Sequence, residues 1–493
     1  MTRVLPIGTA IHDTHIARHD ATGWWLEEAG GAEPRPPLAG AQEADYLVIG
    51  GGYTGMWSAW HLAEAEPSAR IVVLEAGVCG HGPSGRNGGF CESLWFSAPA
   101  LRERYGDAAA LALLDAASRT VSDIGDWCRA EDVDAWFDQS GYMCVSTGPA
   151  FDHVGVEAVR AAEELGRHGA VRDLSHDEVA ERCASPRFRR GVFVPDFATV
   201  QPARLALGLR RRLLERGVEI FENSRVRSMR VEPVRASGNG AAPSPGAVVA
   251  ESGGGSVRAR ACILGIGPAA RGLRPLGTRL AVTSSHIVLT EPVPDVLEEL
   301  GWTGGECITD GRTLLHYFRT TRDGRIAFGW GGGRVACGAR TRGRIEVDPD
   351  VAAEVARHLV AMFPALEGRR IERAWGGPID VSPSHLPQVG SLDGAPIHFA
   401  FGFTGNGVGP THLAARSLAS LAREVDDDAS RLPWVGSGPG AWVPPEPVGW
   451  LGGVTVRSAL LRAERAAELG EPVDPLTRGL LAAPRALGLH LAR

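Results

Sequence analysis

From Asp45 to Glu75 the chain spells out a single supersecondary unit. The apolar run Tyr46-Leu47-Val48-Ile49 enters Gly50-Gly51-Gly52-Tyr53-Thr54-Gly55, a helix-like segment continues to Leu62, and Ile71-Val72-Val73-Leu74 ends on Glu75. Strand, glycine turn, helix, strand and acid, in that order, predict a βαβ fold that cradles a dinucleotide. Gly50 permits the tight turn, Gly52 lets the backbone approach a pyrophosphate, and Gly55 lets the helix pack closely on the strand. The helix N-terminus then turns its free N–H groups and positive dipole end toward the phosphates. Glu75, twenty residues past Gly55, is placed to accept hydrogen bonds from ribose hydroxyls, with Tyr53, Thr54 and Ala76 completing the expected contacts. In a chain with 64 glycines a lone glycine triad means little; the flanking strands and helix give it weight.

At 493 residues the chain is expected to fold as about two or three domains. Its hydrophobic content of 44% and charged content of 22% are those of a soluble globular protein. The N-terminal residues lack the charged-then-apolar plan of a signal peptide, and no apolar run approaches the roughly 20 residues needed to cross a bilayer. The eight cysteines are scattered without a C-x-x-C pair, so reduced core thiols, no metal site and a cytoplasmic location are expected. All 51 basic residues are arginine. The absence of lysine excludes a Walker-type phosphate lysine and any Schiff-base chemistry. A formal charge of −7 with dispersed arginines leaves no footprint for nucleic acid. The densest cluster, Arg210-Arg211-Arg212, falls on an amphipathic helix and reads as a solvated face.

Further along, residues 100–190 carry a mainly helical pattern, with Ala108–Leu114, Val121–Ala130 and Val156–Leu165 as candidate helices. Residues 200–275 return to the alternation of helix and strand that suits a dinucleotide-binding domain. A helix from Pro202 is followed by a strand at Val218–Phe221, a short strand at Arg225-Val226 and a Gly/Ser/Pro-rich hairpin tip at 236–245. Alternating segments between about 276 and 371 predict an antiparallel sheet, with an Asp323-Gly324 hairpin turn. Ile397–Gly402 then leads into Phe403-Thr404-Gly405-Asn406-Gly407-Val408-Gly409 and a helix, a second strand, glycine loop and helix N-terminus.

Two such loops flanking helical and antiparallel inserts resemble the D-amino-acid oxidase, glycine oxidase and sarcosine oxidase superfamily of FAD flavoproteins. Within it the chain is most similar to the γ-glutamylputrescine oxidase-like branch. The matching residues are the Gly50–Glu75 unit, His81–Gly89, Thr199–Arg204, Asp380–Gly390, Gly402–Gly409 and the tail from Trp442 through Gly453. The resemblance implies an α/β fold: a Rossmann-like FAD-binding domain of discontinuous segments (41–99, 198–275 and 372–428) with an α+β substrate domain of antiparallel sheet and helices (100–197 and 276–371). An N-terminal arm (1–40) and a C-terminal cap (429–493) complete the expected organisation. The same resemblance implies FAD at Gly50, Gly52, Gly55 and Glu75. It brings the loop Ser84, Gly85, Arg86, Asn87, Gly88 and Gly89 beside the flavin, Val226 to the adenine, and Gly405, Asn406, Gly407 and Val408 to the flavin N1–O2 edge.

The implied activity is oxidation of a small primary or secondary amine: hydride passes to flavin N5 and the imine hydrolyses to a carbonyl, with O2 or another acceptor reoxidising the flavin. Two departures refine this. Sarcosine oxidases carry a flavin-linking cysteine in the strand that here reads Trp375-Gly-Gly-Pro-Ile-Asp-Val, so FAD is expected without a covalent link. They also have a lysine beside the flavin that assists reaction with oxygen, where this chain reads Arg325-Ile326-Ala327-Phe328-Gly329. Tyr317 and His316, on opposite faces of one strand, are the candidate catalytic residues, while Phe90, Cys91 and Trp95 are candidates for an apolar pocket. His286, His385 and His412 read as weaker candidates. The rival readings are an FAD-dependent monooxygenase, which shares the first glycine loop but would carry a Gly-Asp-Ala type loop later, and a non-catalytic flavin-binding assembly protein. The sequence sets no oligomeric state.

Overall fold

The computed structural model describes residues 15–232, 246–436 and 442–486. The expected hairpin tip at 236–245 lies outside them. Among the described residues two eight-stranded sheets carry the fold. The first has a parallel core in the order Ile397–Phe401, Gly255–Leu264, Gly40–Ile49, Ile71–Leu74, Glu219–Phe221. Gln388–Ser391 adds antiparallel at one edge, and Ala247–Glu251 with Ser228–Glu232 branches antiparallel from Gly255–Leu264. Register sets Ile49 level with both Leu74 and Leu264, so the carboxyl ends of three parallel strands finish together. That edge is where an open α/β sheet takes its ligand.

Helix Tyr53–Ala65 follows the first strand at the closest possible separation. Gly50 sits at φ +109°, and a Cβ there would lie 2.3 Å from the Gly265 carbonyl oxygen. A Cβ on Gly55 would lie 1.9 Å from the Gly50 oxygen. The two glycines therefore have different jobs, one conformational and one steric.

The second sheet runs Ile371–Val381, Ala281–Thr290, Ile326–Trp330, His316–Thr320, Cys307–Asp310, Tyr142–Val145, Gly191–Val194, Arg172–Leu174. It is antiparallel apart from the pairing of Cys307–Asp310 with Tyr142–Val145. Here the fold departs from expectation in two places. In the segment 100–197 two candidate helices merge into one, Asp107–Ala130, the third forms as Val156–Glu164, and three strands of this sheet join them. Runs as short as Tyr142–Val145 have no decisive period, and pairing decides their state. Ile371–Val381, expected to open a segment of the dinucleotide-binding domain, instead pairs along its length with Ala281–Thr290, Ser285 facing Gly377. Its buried Ile371, Ala374 and Trp375 contribute to the core beneath this sheet. Arg225-Val226 forms a connection and the strand starts at Ser228.

The N-terminal arm ties the halves together. Trp24 and Trp25 of the N-terminal arm are buried, Trp25 meeting Trp375 edge-on at 6.2 Å, and Arg373 holds Asp20 at 2.8 Å. Arg210 is not solvated: it forks onto buried Glu222 with two 2.8 Å bonds, and Glu222 also accepts from the Arg35 and Cys79 amides. Three segments distant in sequence are pinned by one carboxylate whose every charge-assisted partner is present. At the far end lie helices Val448–Leu469 and Pro475–Ala486.

Because the Gly55 position is filled by backbone, Gly55→Ala is expected to lower stability by about 3 kcal/mol or more, with the glycine loop displaced. Chemical denaturation compared with Gly82→Ala, where a Cβ meets open space, measures it; equal stability of the two variants contradicts the packing account.

Candidate functional site

A cavity of about 1480 Å³ begins at the carboxyl edge of the parallel sheet and runs along the second sheet. Ile49, Leu74 and Leu264 form its floor, and Gly50, Gly52, Tyr53, Thr54, Glu75, Ala76, Ser84, Arg86, Asn87, Gly88 and Val226 line it. Gly55, Gly85 and Gly89 instead pack their α-carbons against backbone carbonyls of Gly50, Gly80 and Val200. Each does so at a distance that leaves no room for a side chain. The Glu75 carboxylate accepts from the Gly51 amide through one oxygen and the Gly77 amide through the other, both at 2.7 Å. It therefore fixes the two loops that face each other across the mouth of the βαβ unit. Helix Tyr53–Ala65 has no side-chain cap from its own N-cap, Gly52, and its Tyr53 amide reaches Ser84 Oγ at 2.9 Å.

The Ser84–Gly89 loop is stiffened from within and from both sides. The Asn87 side chain donates to the Ser84 carbonyl at 2.8 Å and accepts from the Gly89 amide at 2.7 Å. Arg86 pairs with Glu346 at 3.0 Å, and the Arg86 carbonyl accepts from the Trp375 indole at 2.9 Å. Buried Arg319 donates to the Val200 carbonyl at 2.6 Å, and the Val200 amide in turn bonds the Gly89 carbonyl. Burial lowers the Arg319 guanidinium to about 10, which leaves it charged at neutral pH. The donors expected of Arg86 and Asn87 are thus used to shape the loop.

The second glycine loop comes to the same cavity from the other end of the chain: Gly405, Asn406, Gly407 and Val408 all line it. Helix Val408–Ala422 starts there without a side-chain cap. Gly402, Thr404 and Gly405 have φ of 77°, 53° and 86°. For a β-branched threonine that conformation is costly. It is held by the Thr404 amide on the Asp380 carbonyl (3.0 Å) and by Thr404 Oγ1, which accepts from the Ser382 amide. Asp380 Oδ2 accepts from the Gly402 amide at 2.6 Å, and burial lifts this carboxyl to about 6. Within the sequence Asp380 stands in a family-like motif with no site role expected of it; a carboxylate ending a long apolar strand was the available signal.

Tyr317 joins the cavity and His316 does not. Alternation along His316–Thr320 sends them to opposite sides of the sheet. The Tyr317 ring lies against Gly88 and Gly329: a Cβ on Gly329 would clash with it, and one on Gly88 would be in tight contact at 3.0 Å. Ser285 Oγ donates to the Trp330 carbonyl, so the Tyr317 hydroxyl donates its proton to Ser285 Oγ across 2.7 Å and retains lone pairs as acceptors. Burial pushes that hydroxyl up to about 12; it holds a proton rather than abstracting one. His316 sits behind the sheet in the chain Asp310–His316–His358–Glu354, with separations of 2.6, 2.8 and 3.0 Å. Of the other candidates, Phe90 and His385 line the cavity, while Cys91, Trp95, His286 and His412 lie in the interior. Gly449, Gly453, Val456 and Leu460 of the C-terminal helix, in the segment expected as a cap but given no site role, line the cavity with one face at helical spacing.

Two helix N-termini without a side-chain cap from their own N-cap residues, a glycine cradle too tight for any Cβ and an elongated cavity joining them fit a flavin dinucleotide. A family model described as DAO, FAD dependent oxidoreductase, matches residues 45–421. The chain belongs to this family. Among relatives, γ-glutamylputrescine oxidoreductase of Escherichia coli K12 is 29% identical over 419 residues, covering 83% of this chain and 90% of that one. Glycine oxidase from Geobacillus kaustophilus superposes with a TM-score of 0.60 at 18% identity over 78% of this chain and 96% of its own. L-proline dehydrogenase from P. horikoshii gives 0.60 at 17% over 80% and 96%. The DAO-family chain is therefore an FAD-dependent oxidoreductase. No described helix is long and apolar enough to cross a membrane.

In this DAO-family site Glu75→Gln replaces one acceptor oxygen by a donor, so one of the Gly51 and Gly77 amides loses its partner. Loss of a charge-assisted bond of about 1.5–3 kcal/mol is expected to raise the FAD dissociation constant about tenfold or more. Equilibrium dialysis of FAD checks it, and an unchanged constant reduces Glu75 to a strand-end residue.

Proposed function

We propose that the protein oxidises a small primary or secondary amine with non-covalently held FAD. The observation that carries the reading is the single cavity that joins the two glycine-loop helix termini to the Tyr317 wall. Bound FAD supplies the two-electron acceptor: the carbon beside a neutral amine gives up a hydride, and the resulting imine takes up water to release a carbonyl compound. The protein's own tasks are binding, alignment and exclusion of water. In this reading Gly50, Gly52, Tyr53 and Thr54 hold the pyrophosphate and Glu75 the ribose. Val226 meets the adenine, Ser84 to Gly89 flank the flavin, and Gly405 to Val408 direct N–H groups at its pyrimidine edge. Tyr317 offers a hydroxyl lone pair to the substrate nitrogen and so orients it without acting as a base. His316, behind the sheet, acts only by supporting the strand that bears Tyr317.

The eight cysteines are thiols rather than disulfides, seven of them buried, which favours a reducing compartment and hence the cytoplasm. None lies on the strand Ile371–Val381 that meets the cavity, which supports a cofactor held without a covalent bond. Acid precipitation of the purified yellow protein is expected to release intact FAD into the supernatant. Flavin retained in the pellet overturns the non-covalent assignment, and absence of bleaching by any amine under anaerobic conditions overturns the activity.

The acceptor follows from the missing lysine. Arg325, in the strand where related oxidases carry that lysine, is tied to Asp323, Glu372 and the Thr290 carbonyl. A delocalised, paired guanidinium is a poor substitute for the compact ammonium that stabilises superoxide-like charge. Reoxidation by air-saturated buffer near pH 8 is expected to be slower than in lysine-bearing sarcosine oxidases, with an artificial acceptor raising turnover. Stopped-flow reoxidation as fast as theirs decides for a plain oxidase.

A further inference from the structure

Beyond Tyr317 the cavity is walled by rings. Tyr317 meets Phe90 edge-on at 5.8 Å, Phe90 meets Phe197 edge-on at 6.1 Å, Phe197 stacks on Tyr142 at 4.7 Å, and Tyr142 meets Phe96 at 6.1 Å. All five line the cavity, and they come from separate segments, so their continuity is a tertiary feature. The row starts against Gly88 of the Ser84–Gly89 loop and ends where helices Ala98–Tyr105 and Val156–Glu164 form an opening edged by exposed Glu103 and Glu157.

Carboxylates line this row, while the guanidinium behind it, Arg319, turns its donors to the carbonyls of Val200 and Thr320. Glu92, buried two residues after Phe90, lines the same wall. The guanidinium that reaches this arm, Arg312, is neutralised by Asp310 at 2.9 Å and by Glu468. Arg457, at the roof, gives donors to the carbonyls of Gly332 and Gly333. A carboxylate entering the row meets aromatic rings and glutamates, a lining that favours an ammonium over an anion.

We infer that this row is a recognition corridor for an extended alkylamine that carries no carboxylate, its reacting nitrogen at Tyr317 and its chain along Phe90, Phe197 and Tyr142, with room for a second cation at the Glu103–Glu157 opening. The inference rests on the amine-oxidation reading and adds its substrate class: α-amino acids and ω-amino acids are rejected.

The test uses the FAD-loaded protein. Alkyltrimethylammonium ions of increasing chain length, which cannot be oxidised as neutral amines, are titrated against the flavin absorbance spectrum beside analogues bearing a terminal carboxylate. Dissociation constants are expected to fall as the chain lengthens and to rise about tenfold or more when the carboxylate is added. Phe197→Leu is expected to abolish most of the chain-length dependence while leaving the shortest ion within about twofold; should it fold poorly, Glu92→Gln is expected to weaken every cation and to reduce the penalty on the carboxylate. Carboxylated analogues binding as well as the plain ions, or a chain-length dependence untouched by both variants, overturns the corridor. These are binding measurements, so they decide the inference even where no amine bleaches the flavin, an outcome that would remove the activity and leave the corridor's selectivity standing.

Discussion

Backbone touching backbone at Gly50, Gly55 and Gly265 is the constraint to which the remaining contacts of the molecule are fitted. With no side chain between them, the first strand, its helix and the neighbouring parallel strand converge, and a Cβ at Gly55 would sit 1.9 Å from the Gly50 oxygen. The helix N-terminus is thereby brought to the carboxyl edge of the sheet, where its unsatisfied amides face the cavity. Everything else at this end, from the double acceptance by Glu75 to the Tyr53 amide on Ser84, presumes that approach.

The second half is fastened to the first by carboxylates rather than by close packing. Asp380 belongs to the longest strand of the second sheet but accepts from Gly402 in the loop that follows a strand of the first. It holds Thr404 in a left-handed conformation, so strain is stored where a helix terminus opens into the cavity. Within the first half, Glu222 gathers Arg210, Arg35 and Cys79. The cavity is therefore a junction between two sheets, not a hollow within either.

The division of labour along the cavity follows from these fastenings. One arm is built of backbone amides and glycines, suited to an anionic dinucleotide; the other is built of rings and carboxylates, suited to a cationic organic substrate. Tyr317 stands where they meet, its hydroxyl proton committed to Ser285.

Elements whose information is local are legible along the chain. The dinucleotide cradle can be read because turn, helix start and acid lie within one short stretch, and the second loop because four glycines and an asparagine break a strand from a helix. The burial of Trp24 and Trp25 is legible for a similar reason, since two adjacent tryptophans have few stable alternatives to a core. Pairing at a distance is another matter, settled only when the chain is folded. That Ile371–Val381 joins the second sheet, that Tyr142–Val145 is a strand, that Arg210 is buried on Glu222, and that a C-terminal helix roofs the cavity all depend on partners far away in the chain. The same holds for Phe197, Tyr142 and Phe96, which read singly as core aromatics. Hydrophobic period and turn chemistry are properties of neighbours in sequence, whereas a cavity wall is a property of neighbours in space, and no local pattern encodes which rings will meet.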